Sequence, residues 1–188
     1  LFTVFGVSPD KGLHQLLKAL ILVKREIPDV KLRVPGSFAL DENGKVARKK
    51  ASSYEKWISE FIYNNNLVGN VVFVGAKTQA EMAKEAKNAH IFVNPSCMEV
   101  HALSLREAMT VGAPCISSLC GSVSEYLHSG DNGILYRYED YEVLAYNIVR
   151  LLKNDNLACR LGKNAKIDML EAYSNTKSIP LNEIYMEI

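Results

Sequence analysis

Short runs of β-branched and aromatic residues alternate with longer amphipathic stretches along almost the whole chain. This alternation is typical of parallel strands joined by helices, so it predicts an α/β fold: a doubly wound parallel sheet with helices on both faces. The predicted strands are residues 2–7, 31–34, 70–74, 90–94, 114–117 and 133–136. The predicted helices are residues 11–26, 54–66, 79–88, 102–111, 122–129, 141–153, 157–171 and 179–188. Ligands of such folds bind at the carboxyl ends of the strands.

Size and charge limit the possible functions. The 188 residues, 48% of them hydrophobic and 23% charged, suffice for one well-buried domain of ordinary type. The formal net charge of +1 gives no long-range field for nucleic acid, so we expect no nucleic-acid partner. Residues 37–53 form the longest irregular stretch and are predicted to be a surface excursion.

Several common classes of protein lack their signatures here. The four cysteines show no Cys-x-x-Cys spacing, which suits a reduced compartment, and the four histidines show no metal-ligand spacing. We therefore expect no metal. The chain has no Gly-x-Gly-x-x-Gly after its first strand, no Walker-type loop and no Gly-x-Ser-x-Gly. It has no apolar stretch of membrane-spanning length and no signal peptide, and it begins at Leu1 without an initiator Met. These features predict a fragment of a cytoplasmic protein.

Two carboxylates flank a predicted helix start after the strand at residues 90–94. Glu99 lies on the loop and Glu107 lies two turns into the helix. Carboxylates accept hydrogen bonds from hydroxyl groups, while the helix N-terminus between them offers free backbone N–H groups to an anion. A ligand with sugar hydroxyls and a phosphate fits this pattern.

A lysine follows the first predicted strand at an unusual position. Ser8 is a candidate N-cap, Pro9 suits the first helical position and Asp10 complements the helix dipole, but Lys11 opposes it. Either the Lys11 side chain extends into water, or it binds a phosphate at the carboxyl edge of the sheet, next to the strand that leads to Glu99. The local sequence leaves both interpretations open.

Five ordered blocks of this chain resemble the carboxyl-terminal half of retaining glycosyltransferases of family four. The similarity covers nearly the whole chain. The blocks are Ser8-Pro9-Asp10-Lys11-Gly12; Asn94-Pro95-Ser96 followed by Glu99 and, after seven residues, Glu107-Ala108-Met109; Gly112-Ala113-Pro114; Gly121-Ser122-Val123-Ser124-Glu125; and Gly130-Asp131-Asn132-Gly133.

The resemblance implies the GT-B architecture, in which two Rossmann-like domains face each other and the second mainly holds the sugar nucleotide. Residues 1–174 would be that second domain, and residues 175–188 a helix that packs on the missing amino-terminal domain. The implied enzyme is a metal-independent hexosyltransferase of polysaccharide biosynthesis that uses a UDP- or GDP-hexose and a saccharide or lipid-linked acceptor. It needs no cofactor. We expect a cytoplasmic protein, with peripheral membrane association of the full-length protein left open, and no activity of the isolated chain.

The resemblance also assigns roles to individual residues. Glu99 would contact hydroxyls of the donor sugar, Glu107 would accept hydrogen bonds from the ribose, and Lys11 would neutralise the diphosphate. Lys11 and Glu99 are the candidate catalytic residues. The further donor-binding candidates are the backbone N–H groups around Ala102, Leu103 and Ser104 for the diphosphate, and Gly75 and Ala76 for the nucleobase.

One departure from the family pattern bears on activity. The position of a second diphosphate-binding cation, an arginine in the family, is occupied by Gly6. Loss of a charge that stabilises a leaving group would cost several kcal/mol of transition-state stabilisation, unless another cation replaces it. Candidate replacements are Arg33, Arg48, Lys77 and Arg106. The alternative function is therefore a binding module for a nucleotide sugar or polysaccharide precursor that is catalytically weakened.

Two aromatic side chains outside these blocks have simpler predicted roles. His101 is interpreted as a packing or rim residue rather than a catalyst. Trp57 shares an apolar helical face with Phe61, and the expected role is core packing.

Overall fold

The computed structural model describes residues 1–3, 8–36, 38 and 51–175. Five strands lie in this part of the chain: β1 (Leu32–Val34), β2 (Val71–Phe73), β3 (Phe92–Asn94), β4 (Cys115–Ser118) and β5 (Ile134–Tyr136). The α-helices are α1 (Leu13–Glu26), α2 (Ser53–Asn64), α3 (Gln79–Asn88), α4 (Leu103–Thr110), α5 (Tyr141–Leu152) and α6 (Asp155–Asn175). Short 3₁₀ turns lie at Pro9–Lys11 and Val123–Glu125.

The strands are parallel and their order reverses next to Phe2. β1 pairs with β2, and β4 pairs with both β3 and β5. Phe2 forms parallel bridges to Arg33 and to Phe92, so the first segment lies between β1 and β3. The resulting order is β2, β1, the Phe2 segment, β3, β4, β5. This order confirms the predicted doubly wound fold, and it places a topological switch point between the Phe2 segment and β3.

Helices cover both faces of the sheet, and each face has its own core. On one face α1 packs against α5 and, with α2, buries aliphatic side chains such as Leu16, Leu20, Ile58 and Ile148. On the other face α4 packs against α6 and buries Leu105, Met109, Ala165 and Met169. Two of the connecting helices begin with a capping box, Ser52 with Glu55 and Thr78 with Glu81. Reciprocal hydrogen bonds there satisfy N–H groups that would otherwise lack partners.

Most predicted elements are present, but several differ from the prediction. The predicted helix at residues 122–129 is wrong, because only the 3₁₀ turn Val123–Glu125 forms. Asn132 ends it: its Oδ1 accepts from His128 N, and its Nδ2 donates to the Tyr126 carbonyl. The last described helix, α6, starts earlier and ends later than residues 157–171, and it crosses the predicted boundary at residue 174. The predicted helix 179–188, strand residues 4–7 and most of stretch 37–53 lie outside the described residues.

No described helix combines the length and the apolar character that crossing a bilayer requires. All four cysteines are free thiols, with Cys97 and Cys159 exposed and Cys115 buried. Within the described ranges, no three His, Cys, Asp or Glu side chains come close enough together to hold a metal ion.

Candidate functional site

Three loops meet at the carboxyl edge of the sheet, over the switch point. The Cys97 N–H donates to the Asp10 carbonyl at 2.9 Å, which joins the loop after β3 to the turn before α1. A Cβ atom added to Gly12 would lie 1.8 Å from the Pro95 carbonyl oxygen, and one added to Gly121 would lie 1.7 Å from the Glu99 carbonyl oxygen. Only glycine permits these approaches, because a Cβ atom would overlap the carbonyl oxygen. Both residues also have positive φ, which favours glycine as well. The three loops are therefore packed backbone against backbone.

Lys11 and Glu99 form an ion pair across this edge. The Lys11 Nζ lies 2.8 Å from the Glu99 Oε1, and the two side chains are 25% and 11% exposed. Lys11 also lies 3.9 Å from an Asp10 carboxylate oxygen. The expectation that Lys11 occupies the first turn of an α-helix is wrong. Ser8 precedes a 3₁₀ turn that ends at Lys11, and Gly12, with φ of 69°, separates it from α1. From the end of this turn the Lys11 side chain reaches Glu99 on the neighbouring loop.

The buried side chain of Ser96 holds the Glu99 carboxylate in place. The Ser96 Oγ donates to the Glu99 Oε1 at 3.0 Å and also approaches the Asn94 Oδ1 at 3.1 Å. The Asn94 Nδ2 donates to the Ser117 Oγ at 3.0 Å, and the Ser118 hydroxyl donates to the Ser96 carbonyl. Since buried polar groups are rigid when they are fully hydrogen-bonded, the Glu99 carboxylate is pre-oriented. Residues 94–96 belong to one of the sequence blocks, whereas no sequence signal identified the serines of β4.

Glu107 is held by a different partner, on the other side of the edge. The Gln79 Nε2 donates to the Glu107 Oε1 at 2.8 Å. Gln79 begins α3, the helix that follows the loop containing Gly75 and Ala76. Both residues also line a groove of about 470 Å³ between α3, α4 and α6. Glu107, the predicted ribose-binding residue, therefore lies next to the helix that follows the predicted nucleobase-binding loop. No sequence signal identified Gln79.

The remaining predicted donor-binding residues have these positions. Ala102 is the N-cap of α4 and supplies no side-chain cap, so its first turn is not closed by a side-chain oxygen. The Leu103 N–H already donates to the His101 carbonyl at 2.8 Å, and Ser104 follows in the same turn. Gly75 and Ala76 are exposed, and the Gly75 carbonyl accepts from the Gly36 N–H at 3.0 Å. Gly6 lies outside the described residues.

The cations that could replace the family arginine are mostly engaged elsewhere. Arg33 forms a bidentate pair with Glu85, at 2.8 and 2.7 Å, and this hydrogen bonding raises the pKa of Arg33. The Arg106 guanidinium lies 5.5 Å from the ring centroids of both Tyr126 and Tyr173. Lys77 lines a cavity of about 510 Å³ together with Arg33 and Glu85. Arg48 lies outside the described residues.

A cluster of aromatic side chains adjoins the turn that carries Lys11. The His14 Nδ1 lies 2.8 Å from the Tyr54 hydroxyl, and its Nε2 lies 3.0 Å from the Tyr138 hydroxyl. Burial, followed by the charge of Lys18, lowers the pKa of His14. Burial, followed by the neighbouring Cys97 thiol, raises the pKa of Tyr138 to about 12. Burial likewise raises the pKa of Tyr54 to about 12.

Trp57 packs beside this cluster and not in the core. Its ring stacks on that of Tyr54 at a centroid distance of 6.3 Å and contacts Phe61 at 5.0 Å, yet the residue is 40% exposed. The prediction of core packing is therefore wrong for Trp57; Ile58 and Ile62 on the same helix fill that role. His101 is exposed and meets the Ser122 hydroxyl at 3.4 Å, in keeping with a rim position.

Residues 1–168 match the family described as Glycosyl transferases group 1. The chain belongs to this family. The chain is also similar to a protein of Staphylococcus aureus, a poly(ribitol-phosphate) alpha-N-acetylglucosaminyltransferase. It is 28% identical over 172 residues, which are 91% of this chain and 31% of that protein. The chain spans about a third of the length of the first curated relatives that it matches.

Solved structures share the fold. The Anabaena protein HepE, crystallised with UDP, aligns with a TM-score of 0.80 at 22% identity, over 100% of this chain and 48% of that one. The C-terminal domain of the group 1 glycosyltransferase LpcC from Francisella tularensis aligns with a TM-score of 0.78 at 20% identity, over 92% of this chain and 85% of that one. The fold of this chain is thus the Rossmann-like α/β unit of GT-B glycosyltransferases.

Proposed function

We propose that this chain is the donor-binding, carboxyl-terminal domain of a retaining glycosyltransferase. The full-length enzyme moves a hexose from a nucleotide-diphosphate sugar such as a UDP- or GDP-hexose to a saccharide or lipid-linked acceptor, as in polysaccharide biosynthesis. The acceptor, and any general base, come from an amino-terminal domain. The observation that carries the proposal is the contact between Lys11 and Glu99 over the switch point, because it joins a phosphate-binding cation to a hydroxyl-binding carboxylate.

The ion pair supports a divided role for its two members. A diphosphate that enters the edge competes with Glu99 for Lys11, and Glu99 keeps Ser96 as a hydrogen-bond donor when the lysine turns to the phosphate. Glu99 is then free to accept from hydroxyls of the sugar. The uncapped N-terminus of α4 adds a favourable dipole for the same anion. Leaving-group stabilisation would come from these groups, without a metal ion.

Glu107 supports a separate ribose subsite. Gln79 occupies one oxygen of its carboxylate, which leaves the Oε2 to accept from a ribose hydroxyl. The protein HepE, whose fold this chain shares, was crystallised with UDP, so UDP is the first nucleotide to test.

Calorimetric titration with uridine, UDP and a UDP-hexose tests the roles of Lys11 and Glu99 separately. We expect Lys11→Met to raise the Kd for UDP about 10- to 100-fold, because charge-assisted hydrogen bonds are lost, and to leave the Kd for uridine unchanged. Glu99→Gln should weaken only the UDP-hexose. Lys153→Met removes an exposed ion pair of 2.7 Å to Glu26 and serves as the matched control. The same series is run with GDP. If Lys11→Met binds UDP and GDP as the wild type does, the donor-site assignment is wrong.

The alternative function, a module that binds a nucleotide sugar without turnover, rests on Gly6 in place of the family arginine. Donor hydrolysis and sugar transfer by the full-length protein separate the two functions. Tight UDP-sugar binding without either activity would favour the binding module. The isolated 188 residues should not transfer sugar, and measured turnover by them would refute the assignment of half of the catalytic cleft to another domain.

A further inference from the structure

His14 connects three segments that are far apart in the sequence. It lies in the first turn of α1, two residues after Gly12, while Tyr54 belongs to α2 and Tyr138 follows β5. Both ring nitrogens of His14 and its backbone N–H lie within hydrogen-bond distance of a tyrosine hydroxyl, at 2.8, 3.0 and 3.3 Å. A half-buried histidine with every polar atom of its ring used in this way is held in one orientation.

The Nε2–H tautomer of His14 satisfies all three distances. The His14 backbone N–H donates to the Tyr54 hydroxyl, and that hydroxyl donates to the His14 Nδ1. The neutral ring then carries its proton on Nε2 and donates to the Tyr138 hydroxyl. The Cys97 thiol neighbours the Tyr138 hydroxyl at the end of this chain of hydrogen bonds. Lys18, Glu139 and Asp10 are the charged groups that act on this chain of hydrogen bonds.

The far end of this chain of hydrogen bonds reaches the candidate donor site. A Cβ atom at Gly12 would lie 3.1 Å from the Tyr138 ring, so that ring packs directly against the turn that carries Lys11. Cys97 is two residues from Glu99, and its N–H donates to the Asp10 carbonyl. Tyr138 therefore packs against the turn that carries Lys11 and neighbours the loop that carries Glu99.

We propose that His14 and Tyr138 are positioning residues for Lys11. They fix the turn at residues 8–12 against the loop at residues 95–99, so that the lysine ammonium stays at the diphosphate position. This role rests on the proposed donor-binding function. It predicts an effect on the diphosphate and none on the nucleoside, because Glu107 and the loop at Gly75 are held by other contacts.

Substitutions at His14 can separate its two hydrogen bonds. Gln places an amide N–H near the position of Nε2 and retains the donor to Tyr138, whereas Asn places a carbonyl oxygen near Nδ1 and retains the acceptor for Tyr54. We expect His14→Ala, His14→Asn and Tyr138→Phe to raise the Kd for UDP about 3- to 10-fold. We expect His14→Gln to remain within about twofold of the wild type, and the Kd for uridine to be unchanged in all four.

Tyr146→Phe is the matched control, because Tyr146 is 67% exposed on α5 and lines a groove with Arg25 and Glu26 at the end of α1, the opposite end from Gly12. Denaturation curves confirm that each variant is folded at the titration temperature, so loss of folded protein cannot imitate weaker binding. A merely structural role for His14 would lower stability and leave the Kd of the folded protein unchanged for both ligands.

The outcomes distinguish the two proposals. If the wild type binds UDP, Lys11→Met weakens it, and His14→Ala and Tyr138→Phe do not, the positioning role is wrong and the donor site stands. Equal weakening of UDP and uridine by Tyr138→Phe would also refute the positioning role. If Lys11→Met has no effect, the donor site itself is wrong, and the positioning role is refuted with it.

Discussion

Gly12→Ala tests the packing that brings Lys11 to Glu99. The substitution places a methyl group 1.8 Å from the Pro95 carbonyl oxygen, at a φ of +69° that side chains rarely adopt. The left-handed backbone costs about 1–2 kcal/mol. Relief of the overlap requires the turn and the loop to separate by more than about 1 Å, and such overpacking costs about 1–3 kcal/mol. The expected loss of unfolding free energy is therefore about 2–5 kcal/mol.

Two other glycines separate these contributions. A Cβ at Gly130 has nothing within 4 Å although φ is +87°, so Gly130→Ala measures the backbone term alone, about 1–2 kcal/mol. A Cβ at Gly69 also has nothing within 4 Å, and Gly69 is not among the glycines with positive φ, so Gly69→Ala should stay within about 0.5 kcal/mol of the wild type. Urea denaturation of the three variants and the wild type gives the free energies directly.

The same variants test the link to the site. Separation of the two loops moves Lys11 from Glu99, so Gly12→Ala should also weaken UDP binding at temperatures where it is folded, while Gly130→Ala and Gly69→Ala should not. Gly12→Ala that is no less stable than Gly130→Ala would contradict the close approach of the loops, and the geometry argued for the ion pair would fall with it.

Three further outcomes follow from individual side chains. Glu107→Ala should weaken the binding of UDP and of uridine alike, by about 1–3 kcal/mol, as measured by calorimetry. Glu60→Ala, at an exposed position, is the control. An unchanged affinity would remove Glu107 from the site. The pKa of His14 is lowered from 6.5 in the folded protein, so the unfolded chain binds more protons. The free energy of unfolding should therefore fall as the pH drops through 6.5. Urea titrations should show a smaller fall for His14→Gln. Burial raises the pKa of the Cys115 thiol, so a thiol reagent should react with exposed Cys97 in the native protein and with Cys115 only after unfolding; fast native labelling of Cys115 would contradict its burial.

The order and type of most elements could be predicted because they depend on local patterns. Helix α3 begins and ends where its periodicity predicted, at Gln79–Asn88, since a Thr-x-x-Glu capping box opens it. The predicted helix at residues 122–129 does not form, because Asn132 binds the backbone at Tyr126 and His128. The Asn132 side chain also donates to Asp168 of α6, 36 residues away, and the periodicity of the segment carries no signal of that contact.

The candidate site divides in the same way. Residue types and spacing made Lys11, Glu99 and Glu107 candidates, and the resemblance to family-four glycosyltransferases assigned a role to each of them. The side chains that contact Glu107, and those that contact His14 beside Lys11, could not be identified from the sequence. Gln79 approaches Glu107 across 28 residues, and Tyr138 approaches His14 across 124, so each contact exists only after the sheet has formed.

The sequence by itself determined that alternating strands and helices would build a parallel sheet with a charged carboxyl edge, because hydrophobic period and residue chemistry are properties of short segments. Only the tertiary structure decided how that edge is assembled. The reversal of strand order at Phe2 places two loops side by side, and the glycines at 12 and 121 allow backbones to meet there. Lys11 ends a 3₁₀ turn that this contact holds against the neighbouring loop. A contact between segments so far apart has no counterpart in the sequence pattern.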